Sequence, residues 1–104
     1  MKRISQGLGF LAFTMPARRF IIRGRVQGVG FRYFTVQAAT RARVVGTVKN
    51  LPDGSVEAIA EGSLASLAAF LLELRRGPGF SRVTAVDEQD YPAMGHYKSF
   101  EVIY

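Results

Sequence analysis

The run Gln27-Gly28-Val29-Gly30-Phe31-Arg32 holds residue types suited to gripping an anion. Gly28 and Gly30 bring main chain without side chains, so N–H groups can approach a phosphate closely and φ can turn positive. A helix entered directly from such a loop adds its dipole and its free first-turn donors. Arg32 offers a planar fork that binds two phosphate oxygens at once, a geometry lysine lacks. The chemistry implied is the handling of a small phosphorylated molecule. The loop is not a Walker A motif, because no Gly-Lys-Ser/Thr follows. It is not a dinucleotide fingerprint either, because the third glycine is missing. Standing alone, it reads equally well as a glycine-rich turn beside a surface arginine.

The flanking segments show what must hold this loop. Arg19–Val26 alternates: Phe20, Ile22, Gly24 and Val26 share one face, and Ile21, Arg23 and Arg25 the other, as in a half-buried strand. Phe31–Arg43 has Phe31, Phe34, Ala38 and Ala42 at helical spacing. Val44–Leu51 returns to period two, with Val44, Gly46 and Val48 on the face that carries Asn50. Pro52-Asp53-Gly54 is a turn, and Ser55–Glu61 the returning strand of a hairpin. Ser63 is placed to cap a second helix with an apolar stripe of Leu64, Leu67, Leu71 and Leu74, stopped by Gly77-Pro78. Arg82–Gln89 and Lys98–Tyr104 read as two more strands.

The order predicts an α+β, ferredoxin-like βαββαβ sandwich. Two helices cover one face of an antiparallel sheet ordered 4-1-3-2, with a short fifth strand added. Strands 1 and 2 then run parallel, joined by a right-handed crossover, and end at the same edge of the sheet. With one strand between them, those ends lie about 10 Å apart, twice the strand spacing. The gap suits a phosphate held by the loop and a water held by Asn50.

Composition narrows the choices further. The chain has 104 residues, 48% hydrophobic and 21% charged, which fits one globular domain. It has no cysteine, so disulfide, thiolate and cysteine–metal chemistry are excluded, and the sole histidine, His96, argues against a zinc centre; no cofactor is expected. Fourteen basic against eight acidic residues give a charge of +6, a field that attracts anions without choosing among them. Lys2 and Arg3 precede a short, glycine-broken apolar stretch, Gly7–Phe13, a weak echo of an export signal and too short to span a bilayer. Residues 1–15 are expected to be a poorly ordered extension, with Met15 as the natural start and residues 16–104 as the domain. A cytoplasmic monomer, away from membranes, is the expectation.

The loop gains a partner downstream. Gly46-Thr47-Val48-Lys49-Asn50 and Pro52-Asp53-Gly54-Ser55-Val56-Glu57, taken with Gly24–Arg32, resemble the acylphosphatase family. The resemblance runs from about Arg19 to Tyr104 and includes Gly77-Pro78 and Phe100-Glu101-Val102. It implies hydrolysis of small acyl phosphates to a carboxylate and inorganic phosphate, without metal. It also implies that Arg32 binds the phosphate, that amides within Gln27–Arg32 (Gln27, Gly28, Val29, Gly30, Phe31, Arg32) complete the cradle, and that Asn50 orients the attacking water. Thr47 stands where relatives commonly carry a bulky residue, which is expected to alter packing near strand 2 or the acyl pocket.

Two competing readings share the topology. One is a phospholigand-binding module without turnover. The other is an RNA-binding module, because Gln27–Phe34 looks like a damaged version of the octamer that RNA-recognition domains carry. That octamer belongs on a central strand, whereas here it falls at a strand–helix junction, and nucleic acid is not expected as a partner. Other polar residues read as structural. His96 is expected in a loop, Asp53 in the turn, and Glu57 and Glu61 facing solvent. Of Tyr33 and Phe34, one should pack and the other edge the surface.

Overall fold

The computed structural model describes residues 15–104. Of the expected poorly ordered extension, residues 1–15, all but Met15 lie outside the described residues. The elements are β1 (Ala17–Arg25), α1 (Phe31–Ala42), β2 (Val45–Asn50), β3 (Val56–Glu61), α2 (Leu64–Arg76), β4 (Arg82–Tyr91) and β5 (Phe100–Val102). The sheet order is β4-β1-β3-β2-β5. β1 pairs antiparallel with β3 and β4, and β2 antiparallel with β3. β5 joins β2 in parallel, Gly46 opposite Phe100 and Val48 opposite Val102. The sheet is therefore mixed rather than wholly antiparallel. The last strand follows a long return segment and enters the edge beside β2 in the same direction as β2.

Both helices pack on one face. β1 sends Phe20 and Ile22 toward them, opposite Ala58 and Val56 of β3. These meet Phe31, Ala38 and Ala39 of α1 and Leu67, Phe70 and Leu74 of α2 in one core. Thr35 is fully buried there and keeps its hydroxyl satisfied by donating to Phe31 O at 2.8 Å. Ser63 caps α2 by accepting the Ser66 N–H, as expected from its position. Phe70 meets Phe20 edge-on and packs against Phe100, with centroids 5.6 and 5.5 Å away. Leu64, expected in the stripe, is 65% exposed instead. The buried face of α2 is Leu67–Phe70–Leu74, and Leu64 sits in the first turn, pointing off its edge.

The other sheet face is less bare than alternation implies. Ile21 and Ile59 are buried there, and Glu57, opposite Ile21, accepts a hydrogen bond from Arg19 Nε at 2.7 Å. The segment after β4 folds back so that the Met94 N–H donates to the Glu61 carboxylate at 2.6 Å and the Gly95 N–H at 3.3 Å. Glu61 is consequently 6% exposed. Neither glutamate faces solvent: period two assigns a face, not what returns over it. Tyr33 is exposed and Phe34 packs against the core, and His96 lies exposed in the return segment.

Candidate active site

β1 ends at Arg25, and the chain passes through Val26 and Gln27 into the tight loop that starts α1. Gly28 and Gly30 have φ of 74° and 77°. A Cβ at either would meet nothing within 4 Å. Glycine is needed here for backbone angle, and the space beside the loop stays open to a ligand. Gly30 caps α1 without any side-chain hydrogen bond, and no acidic residue occupies the first turn. The first intrahelical bond is Phe34 N–H to Gly30 O at 3.0 Å. The N–H groups of Phe31, Arg32 and Tyr33 therefore lack intrahelical acceptors at the positive end of the helix dipole.

Arg32 stands on the first turn. Its guanidinium lies 5.3 Å from the centre of the Tyr104 ring, and among the described residues it forms no ion pair. Asn50 is the last residue of β2, on the helix-facing side opposite Val56. Its Oδ1 is buried and, among the described residues, has no hydrogen-bond partner. A buried acceptor of this kind is costly unless a donor arrives.

One cleft of about 500 Å³ brings these groups together. Gly28, Gly30, Phe31, Arg32 and Asn50 line it, along with Val26, Tyr33, Val36, Glu101, Val102 and Tyr104. Two expected cradle residues do not line it. Gln27 turns its side-chain amide to Leu51 O and Ser55 O, both at 2.8 Å, and Val29 packs against the core. Thr47 is also absent from the cleft. It pairs with Ile59 and Glu101 on the far face of the sheet, so the expected effect of Thr47 on the acyl pocket does not arise by contact. Reading the sequence missed the wall made by Val36, Val102 and Tyr104. The alternation of Phe100, Val102 and Tyr104 was visible, but only the parallel docking of β5 brings its end beside Asn50. The octamer-like run Gln27–Phe34 occupies a loop and a helical turn, which is no surface for stacking bases.

A family model described as acylphosphatase matches residues 18–102. The chain belongs to the acylphosphatase family. It is 46% identical over 88 residues to an acylphosphatase of Actinobacillus pleuropneumoniae serotype 5b, an alignment covering 85% of this chain and 98% of that protein. An acylphosphatase of Petrotoga mobilis is 43% identical over 90 residues, covering 86% of this chain and 100% of the other. The crystal structure of acylphosphatase from Bacillus subtilis superimposes with a TM-score of 0.82 at 39% identity, covering 86% of this chain and 100% of that one. Both helices and all strands fall within residues 18–102 but for the first residue of β1. No helix among the described residues is long and apolar enough to cross a membrane.

Proposed function

We propose that Arg32, Asn50 and the amides at the start of α1 carry the acyl phosphate hydrolysis performed by this family member. The phosphoryl group is held by the Arg32 fork on two oxygens and by the free N–H groups of the loop and first turn. Asn50 Oδ1 accepts a hydrogen bond from a water and holds it in line with phosphorus. Water adds to phosphorus as the bond to the acyl oxygen breaks. The carboxylate leaves as a stable anion, so no general acid is required, and the water proton passes to a phosphate oxygen. The transition state is loose and anionic, and positioning and positive charge are what it needs.

The single observation that carries this reading is the unsatisfied, buried Asn50 Oδ1 in the same cleft as Arg32 and the glycine loop. The test is benzoyl phosphate hydrolysis followed by ultraviolet absorbance. Arg32→Ala and Asn50→Ala should each lose about 10²–10³ in kcat while keeping wild-type circular dichroism, the scale for losing one transition-state donor or positioning group. A folded variant with the wild-type rate removes that residue from the mechanism.

A further inference from the structure

The side chain of Gln27 has no part in that scheme, yet it joins the scheme's two halves. Its Nε2 donates to Leu51 O and to Ser55 O, each at 2.8 Å. Both protons of the amide are thereby used, and both acceptors sit at the neck of the β2–β3 turn. There, the Leu51 N–H donates to Ser55 O at 2.9 Å and the Gly54 N–H to Leu51 O at 3.1 Å. Leu51 follows Asn50 directly. The tip is stiffened in turn by Asp53, which accepts the Ser55 N–H at 2.9 Å and the Ser55 hydroxyl.

The backbone ladder reaches Asn50 through Val56 but stops short of the glycine loop and the turn. β1 and β3 pair only as far as Ile22 opposite Val56. Beyond that rung β1 continues to the phosphate loop, while the hairpin carries Asn50 and turns away. Gln27 bridges the two past the end of the ladder. We infer that Gln27 is a positioning residue that fixes the distance and angle between the phosphate cradle and the Asn50 amide. A side chain of this length with two N–H donors on one atom fits the paired carbonyls. Glutamate has the shape and no donors, asparagine has the donors and is one methylene short, and leucine has neither the reach nor the donors. A reaction that runs on alignment is sensitive to such a link, since a 1 Å misplacement costs about 10²-fold in rate.

The inference rests on the roles given to Arg32 and Asn50, and its test separates the two. The variants are Gln27→Leu, Gln27→Asn and Asn50→Ala, with each Gln27 change also made in the Asn50→Ala background. The readouts are kcat and KM for benzoyl phosphate, the inhibition constant of inorganic phosphate, and circular dichroism to establish folding. In the wild-type background, kcat should fall roughly 10- to 100-fold for Gln27→Leu and in the same direction for Gln27→Asn. The phosphate inhibition constant should move less than about threefold, because the cradle itself is untouched. In the Asn50→Ala background the same Gln27 changes should cost less than about twofold, because the group they align is gone. Should Gln27→Leu fail to fold, the gentler Gln27→Asn is read in the same cycle. Losses that multiply equally in both backgrounds, or phosphate affinity falling in step with kcat, overturn the inference and leave Arg32 and Asn50 standing. Wild-type rates in Asn50→Ala overturn both.

Discussion

Asn50 and Asp53 are both polar residues at the β2–β3 turn, and their environments divide their tasks. Asn50 keeps a buried oxygen free of protein donors, which suits it to a ligand or water. Asp53 is exposed and fully engaged. The Ser55 hydroxyl, then the Ser55 N–H, and to a smaller extent Arg23, hold its carboxyl below its ordinary pKa, with desolvation opposing. A carboxylate with a lowered folded pKa stabilises the fold fully above its unfolded value, and that contribution fades as pH falls through the folded value. The Asp53→Asn variant should therefore melt below wild type near neutral pH. The gap should narrow once pH drops below about 4, where the unfolded carboxyl begins to take up its proton. Melting curves followed by circular dichroism across that range check this. A gap that stays constant into strong acid would show that the charge on Asp53 is irrelevant and that only its hydrogen-bonding shape counts.

At the scale of elements, local signals told most where one residue type has one cheap solution. Glycine at a positive φ, a serine before a helix and Pro-Asp-Gly between alternating runs each predicted the element found, and the meeting of Arg32 and Asn50 in one cleft was legible because the crossover topology sends both strand ends to one edge. Legibility failed where a segment's place depends on another segment. Glu61 alternates like a surface residue and is buried by the return segment. Val102 and Tyr104 reach the cleft only through the parallel pairing of β5. α2 shows the same limit, because its leucine spacing fits two stripes and packing chose the one centred on Phe70. That choice is measurable. Phe70→Ala removes a fully buried ring held between Phe20 and Phe100, and urea unfolding should show a loss of about 3–5 kcal/mol. Leu64→Ala should stay within about 0.5 kcal/mol of wild type, as exposed positions do. Equal losses at the two sites would restore the leucine stripe.

Across the whole molecule, charge is sorted along the sheet. Asp53, Glu57, Glu73, Asp87, Glu88 and Asp90 are all held in ion pairs. Arg18 pairs with Glu88 and Asp90 at the start of β1. At the other end of that strand Arg25 lies directly opposite Arg82, and neither has a carboxylate partner among the described residues. Like charges facing across strands are destabilising. Arg25 stands just ahead of the Gln27–Arg32 loop in the chain, and a positive rim there would raise the local concentration of an anionic substrate. Such an effect reaches through solvent and is screened by salt, whereas the bonds proposed between Arg32 and the phosphoryl group inside the cleft would be screened far less. Raising ionic strength from about 0.02 M to about 0.3 M should lower kcat/KM for benzoyl phosphate by roughly two- to fivefold and leave kcat nearly level. The double variant Arg25→Gln, Arg82→Gln should begin with the lower kcat/KM and lose most of the salt dependence, since the charges being screened are gone. Parallel salt slopes for variant and wild type would mean that the substrate feels only the arginine inside the cleft, and that the opposed pair at the rim is tolerated for some reason other than catalysis.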